Sequence, residues 1–411
     1  MTDFDVIVVG GGPGGSTTGV FLAKAGKKVL LLEKEQYPKD KTCGDAVSGK
    51  SVKILRELGL QKEMDQLEQI HIDGVTISSP NGTLLDVNIP KTGVQNNGYV
   101  CKRMVYDNFL FQNMKKQKNI TVKEKFMVTG LLKEGDQVVG VKGKDLISGK
   151  EEQYTAKIVV GADSAHSIVA KELGLNEIDE KHYIVALRLY YEGVTDLTNK
   201  IEIHFVPELI PGYFWIFPTI EGNQKGECNV GVGMIVKDLK KKKVNLEKAM
   251  FKAIEENPLF KERFKNAKKV SPVKGWNLPL GSKVRKCAGN GFVLVGDAAS
   301  LIDPFTGEGI GNAMTSGKLA SEVIVKAFEK NDFSHSVLKE YQDQVEKILR
   351  PELMNSYKLQ KVASNTFLLN WVTGKAKRNP KLADFIGGTL VNENTQEKIG
   401  GLKFFIKIFF S

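Results

Sequence analysis

The chain opens on a run of buried-type residues, Phe4-Asp5-Val6-Ile7-Val8-Val9, that stops at a block of glycines. A helical spacing follows through Ser16, Val20, Leu22 and Ala23 to Gly26. A second aliphatic run over 28–34 then completes a strand–helix–strand unit. Two adjacent strands of nearly unbroken aliphatics predict a parallel sheet covered on both faces. The pattern then changes. Residues 71–97 carry short alternating runs broken at Pro80-Asn81-Gly82, an antiparallel excursion, and 103–117 return to helical spacing. Strands follow over 120–147 and 157–162. From about 176 to 284 the chain is β-rich and aromatic, with a charged helix near 246–256. A buried strand at 291–295 leads into a long helix over 308–330, and 331–411 is helical with turns.

This order predicts an α/β fold. A discontinuous Rossmann-like domain comprises 1–70, 98–175 and 285–330. An antiparallel β-sheet domain for substrate, 71–97 and 176–284, is inserted in it, and 331–411 form a C-terminal helical region. The length of 411 residues suits two or three packed units.

Composition narrows the partners. Lys and Arg number 59 against 48 Asp and Glu, a net charge of +11. That balance favours a phosphate-rich cofactor, an acidic substrate or an anionic lipid surface. It also favours nucleic acid, but no nucleic-acid reading module accompanies it and none is expected as a partner. Cys43, Cys101, Cys228 and Cys287 form no C-x-x-C pair and the five histidines are scattered, so no metal site is expected. Asp3 and Asp5 lead straight into a strand rather than a basic signal region, and no apolar stretch is long enough to span a bilayer. The expectation is a cytoplasmic protein that meets a membrane only from its surface. The apolar segment 402–410, with two lysines, fits either a membrane interface or docking on the protein's own core. Lys240–Lys243 read as a solvated loop that adds to any anionic attraction.

The glycine block carries the first chemistry. Gly10, Gly12, Pro13, Gly14 and Gly15 fit the G-x-G-x-x-G turn between strand and helix. Gly10 permits the tight turn, Gly12 the approach of a pyrophosphate, and Gly15 the packing of helix on strand. The helix N-terminus offers unpaired N–H groups to the phosphates. Glu33, with Lys34 beside it, ends the second strand where an acid accepts from a ribose 2′-OH, which disfavours the 2′-phosphate of NADPH at this position.

The segment 291–314 resembles the second FAD motif of the para-hydroxybenzoate hydroxylase-like flavoproteins. The resemblance implies FAD as cofactor, with Gly296 and Asp297 at its ribityl or ribose hydroxyls. It also implies that Pro304, Gly307, Gly309, Ile310 and Gly311 turn backbone N–H groups to the flavin N1/O2 edge, where reduced flavin gathers negative charge. Residues 159–167 look like the family's middle motif. They supply Asp163, with Ser164 standing where the family has glycine. Arg103 is similar to the arginine that reaches the FAD phosphates.

Two further stretches resemble the geranylgeranyl reductase family: Cys43-Gly44-Asp45-Ala46, and Pro211–Pro218 with its Y-x-W-x-F-P pattern, followed by Gly231-Val232-Gly233. The resemblance covers essentially the whole chain. It implies reduction of isolated C=C bonds of prenyl chains on a lipid or quinone, by hydride transfer from flavin N5 and protonation of the second carbon. It places Cys43, Gly44 and Asp45 beside the flavin, as catalytic candidates and, with Ala46, as cofactor contacts. No acid–base partner is identifiable. Tyr213, Trp215 and Phe217 share one face of a strand. That face either lines an apolar tunnel, where each buried CH₂ is worth about 0.8 kcal/mol, or packs the inserted domain's core. A monooxygenase or halogenase on the same scaffold is the alternative, since Tyr213–Pro218 partly echoes the halogenase W-x-W-x-I-P stretch. A non-catalytic FAD-containing scaffold is the third. No second dinucleotide fingerprint is present, so NAD(P)H and a ferredoxin-type donor protein both stay open.

Overall fold

A computed structural model of the chain describes residues 2–88, 98–220 and 226–391. The aromatic and lysine-bearing segment 402–410 and part of the expected excursion, 89–97, lie outside these described residues.

The two aliphatic runs form the centre of the first sheet. Strand Phe4–Val9 pairs in parallel with Val29–Leu32 on one side and with Glu151–Gly161 on the other. Phe292–Leu294 and Ile120–Lys123 extend the parallel array at either end. The antiparallel hairpin Phe126–Glu134/Gln137–Asp145 branches from Glu151–Gly161. Val6–Val8, Leu30 and Leu31, and Ile158–Val160 are almost wholly buried, because helices Pro13–Lys24, Arg103–Lys115 and Ile310–Lys330 cover the sheet. This is the covered parallel sheet that continuous aliphatics require.

A second sheet runs in the order Lys268–Lys269, Tyr183–Glu192, Cys228–Ile235, Tyr213–Pro218, Lys200–His204, Gly74–Ser78, Leu84–Asn88, with Lys274–Pro279 also on Tyr183–Glu192. It is antiparallel except at one seam. Gly74–Ser78, arriving from the first excursion, pairs in parallel with Lys200–His204, so the sheet is mixed rather than purely antiparallel. Strand alternation sends Phe214 and Ile216 to one face, packed on helix Leu246–Glu256, and Tyr213, Trp215 and Phe217 to the other. Helices Arg350–Ala363, Thr366–Arg378 and Pro380–Val391 contribute Leu359, Ala363, Ala376 and Leu382 to the cluster that includes Trp215 and Phe217. A small sheet of Ala46–Val47, Tyr99–Val100 and Ile70–His71 lies between the two large ones along the chain. No helix among the described residues is long and apolar enough to cross a membrane.

Candidate active site

A cavity of about 890 Å³ runs from the glycine turn to the aromatic strand, with walls from both large sheets. At its first end Gly10 adopts φ +101°, and a Cβ on Gly15 would stand 1.9 Å from the Gly10 carbonyl oxygen. Gly15 therefore serves the packing of helix on turn and does not line the cavity. Gly12 is the opposite case: a Cβ there would meet nothing within 4 Å, so the backbone faces open space at the start of a twelve-residue helix. Pro13 at the first helical turn loses no needed hydrogen bond, and the free N–H groups form a cradle for phosphate.

Glu33, buried at the end of its strand, accepts from Gly11 N–H and Glu35 N–H at 2.8 Å each. It also pairs with Lys39 Nζ at 2.6 Å. The acid thus braces the glycine turn while remaining on the cavity wall with Lys34. Arg103, buried, makes a bidentate pair with Asp107 at 2.6 Å per bond and also reaches the Cys43 side chain.

Asp163 and Asp297 both line the cavity, each held by its neighbours. The Asp163 carboxylate accepts from Ser167 Oγ, Ile168 N–H and Val169 N–H at 2.5, 2.7 and 3.3 Å, so it holds the start of helix Ile168–Glu172. Ser164 adopts φ +69°, the conformation that a glycine would take freely, and its hydroxyl donates to Asp297 Oδ2 at 3.1 Å. Lys41 Nζ reaches the same carboxylate at 3.4 Å.

Beyond Asp297, the loop Pro304–Gly309 enters helix Ile310–Lys330. Asp303 Oδ1 accepts from Phe305 and Thr306 N–H at 2.9 and 2.8 Å and thereby fixes the loop, and Gly307 turns at φ +73°. Pro304, Gly307, Gly309 and Ile310 line the cavity. Gly311 does not. A Cβ there would press on Lys50 Cβ, Ser48 Oγ and Glu308 Oε1 at 2.7–2.8 Å, so its lack of a side chain serves packing.

The Cys43–Ala46 stretch sits where both sheets meet. Cys43, Gly44 and Ala46 are on the wall; Asp45, expected there, points away into the protein. Its wholly buried carboxyl accepts from Tyr190 Oη and Asn229 Nδ2 at 2.7 Å each, and from Arg103 N–H at 3.2 Å. Burial pushes this carboxyl up despite those donors. An aspartate also tolerates the φ of +67° found at this turn. Asn229 Nδ2 donates to the Cys43 carbonyl too, and its Oδ1 accepts from Trp215 Nε1 at 2.9 Å. Asn229, which carries no motif signal, thus joins the Cys43 loop to the aromatic strand.

Tyr213, Trp215 and Phe217 all line the cavity, with Ile201, Ile203 and Phe205 nearby. They also belong to the apolar cluster closed by the C-terminal helices, so cavity wall and core are the same surface. Gly231 makes room for the indole: a Cβ there would stand 2.1 Å from Trp215 Cζ2. Lys39, Asp40, Lys41, Ser48, Arg188, Lys274 and Trp276 also line the wall and carry no motif signal, while His166 and Glu308 line it from inside the 159–167 and 291–314 stretches without having been singled out there. Among the described residues, no group of three or more His, Cys, Asp or Glu side chains could hold a metal ion.

The FAD binding domain family model matches residues 3–350. The chain is 34% identical over 367 residues to the digeranylgeranylglycerophospholipid reductase of Methanocaldococcus jannaschii, covering 87% of this chain and 86% of that protein. The chain belongs to the geranylgeranyl reductase family of FAD-dependent oxidoreductases. Among solved structures, the geranylgeranyl bacteriochlorophyll reductase-like protein of Thermoplasma acidophilum superposes with a TM-score of 0.83 at 26% identity, over 96% of this chain and 95% of that one. A myxobacterial chondrochloren halogenase shares the fold, with a TM-score of 0.75 at 23% identity over 96% and 95%. The open cradle at Gly12, the acid at Glu33, and the free helix start at Gly309–Ile310 fit the FAD of this family. Gly12 and Pro13 would hold its pyrophosphate, Glu33 its adenosine ribose, Asp297 its ribityl hydroxyls, and the 304–310 loop its pyrimidine edge.

Proposed function

We propose that this geranylgeranyl reductase-like enzyme saturates C=C bonds of prenyl chains carried on a lipid or quinone. The observation that carries the reading is the continuity of the cavity from the flavin loop to an aromatic and aliphatic passage. Tyr213 and Gly307 adjoin one another at the junction. FAD, when bound, supplies hydride transfer at N5. The chain's own residues do the rest. Tyr213, Trp215, Phe217, Ile203 and Phe205 bury the hydrocarbon and exclude water, and the Cys43–Gly44 turn presses on the aromatic strand opposite the loop.

The name of the Methanocaldococcus relative supports a glycerophospholipid-linked prenyl chain as the substrate class. The net charge of +11 supports recruitment to an anionic membrane surface, from which such a chain is drawn. The test is anaerobic incubation of dithionite-reduced enzyme with a geranylgeranylated glycerophospholipid, followed by absorbance and mass spectrometry. The expected result is reoxidised flavin and two added hydrogens per double bond. Unchanged lipid mass across several prenyl substrates, or an oxygenated product formed only in air, would overturn the reading.

A further inference from the structure

Saturating an alkene consumes a proton as well as a hydride, and of the acids named by the motifs Asp45 does not line the cavity and Asp163 is taken up by a helix start. Behind the loop Pro304–Gly309, three carboxyl groups converge on one lysine. Lys50, buried in helix Gly49–Leu58, lies 2.6 Å from Glu352 Oε2 and donates to Asn312 Oδ1 at 2.9 Å. Glu308 and Asp303 act on it as well. Asp303 is matched by the two loop N–H groups already described. Glu308 Oε1 accepts from Gly311 N–H at 2.5 Å and from Ser48 Oγ at 3.1 Å, while its Oε2 is buried without a partner.

Ionising all three carboxyls would leave an excess of two negative charges beside one ammonium and a helix N-terminus, in a place largely screened from solvent. Low-dielectric surroundings oppose that strongly, and protonating a carboxyl relieves it. In accord with this count, burial pushes the Glu308 and Glu352 carboxyls up, with Asp303 adding to the push and Lys50 opposing it.

We propose that the Glu308–Lys50–Glu352 cluster holds the proton consumed in the reduction and that the Ser48 hydroxyl passes it from Glu308 into the cavity. The inference rests on the prenyl-reduction reading. Ser48 and Glu308 both line the cavity. Ser48 stands at the N-cap of helix Gly49–Leu58 but makes no capping bond, so its hydroxyl is not engaged there. Ser48 turns its hydroxyl hydrogen from Glu308 Oε1 to one alkene carbon and takes in its place the proton of the Glu308 carboxyl, while the other carbon receives a hydride from reduced flavin. Two C–H bonds form, and the π bond, the N–H bond of the reduced flavin and the carboxyl O–H bond break. The alkene is reduced, the flavin is oxidised, and Glu308 is left as carboxylate. Glu352, whose side chain is 15% exposed, opens the cluster to solvent for reprotonation.

Two measurements test this. Infrared spectra of the FAD-loaded protein at neutral pH are expected to show a protonated carboxyl band that shifts in D₂O and vanishes in Glu308→Gln or Glu352→Gln. Prenyl-lipid saturation per bound FAD is expected to fall about 100-fold or more in Glu308→Gln, and about tenfold or more in Ser48→Ala. A wild type without the band, a band that survives in both Gln variants, or wild-type saturation by Glu308→Gln and Ser48→Ala overturns the inference. A wild type that shows the band yet saturates no prenyl lipid supports the proton-holding cluster and refutes the substrate reading instead.

Discussion

Tyr213 Oη donates to the Thr306 carbonyl across 2.6 Å, tying the aromatic strand to the loop that enters helix Ile310–Lys330. Tyr213→Phe removes that bond and leaves a half-buried carbonyl unpaired, at a cost of about 1–2 kcal/mol. The loop then has one restraint fewer on the side facing the cavity. Thermal denaturation should show the lower stability, and steady-state kinetics should show a greater loss in kcat than in affinity for the lipid. Unchanged melting and turnover would mean that the bond contributes nothing.

Gly12 and Gly15 belong to one motif and should fail in different ways. Gly15→Ala drives a methyl into the Gly10 carbonyl oxygen, so helix and strand must separate. Gly12→Ala meets no protein atom and places its methyl where a pyrophosphate would lie. Circular dichroism should find Gly12→Ala folded and Gly15→Ala destabilised. Flavin absorbance should find FAD depleted in both.

Gly231→Ala sets a methyl against the Trp215 indole, 2.1 Å from Cζ2 and 2.4 Å from the Leu187 carbonyl oxygen. Overpacking of this kind costs about 1–3 kcal/mol, and the displaced ring narrows the cavity. Urea denaturation should report the first effect. A shift of preference towards shorter prenyl chains in a competition assay should report the second.

His204 gives the inserted sheet an acid-sensitive point. It is fully buried beside Phe260, bonded to Ser78 Oγ at 2.9 Å and Glu202 Oε2 at 3.1 Å. Burial holds its imidazole below the ordinary 6.5, although Glu202 pulls the other way. Between those two values the unfolded chain binds a proton that the folded chain does not. The stability contributed by neutral His204 is therefore complete above about pH 6.5 and is lost as pH falls towards the depressed value. The urea midpoint of the wild type should drop between about pH 7.5 and pH 5.5, and His204→Gln should drop less. Parallel slopes in the two proteins would assign the acid sensitivity elsewhere.

The covered parallel sheet, the glycine turn and the aromatic strand are legible in the chain because each rests on local spacing: aliphatic continuity, G-x-G-x-x-G, and alternation. What local spacing does not carry is the direction in which a polar side chain points. Asp45 lies in a motif yet turns inward, because Tyr190 and Asn229 of the other sheet meet it there. Asp163 lies in a motif too, yet its carboxylate takes the Ile168 and Val169 N–H groups at a helix start whose N-cap is Ser167. Glu308 sits inside the most readable motif of all, yet its chemistry depends on Lys50 and Glu352, which lie far away along the chain and come together only through helix packing. The parallel pairing of Gly74–Ser78 with Lys200–His204 is a long-range register of the same kind.

Gly44 faces the aromatic strand with no side chain of its own. A Cβ there would stand 3.0 Å from the Phe217 ring and 3.4 Å from Trp215 Nε1. Phe217 and Trp215 belong to one hydrophobic cluster, while Cys43, next to Gly44, packs on the other. The two walls are therefore anchored in separate cores, and their spacing at this point is gauged by one absent methyl. Cavity shape and core packing are joined here, because Phe217 and Trp215 serve both. A side chain introduced at this turn would have to displace Phe217 or Trp215, and so would reshape the cavity and the packing behind it in one move.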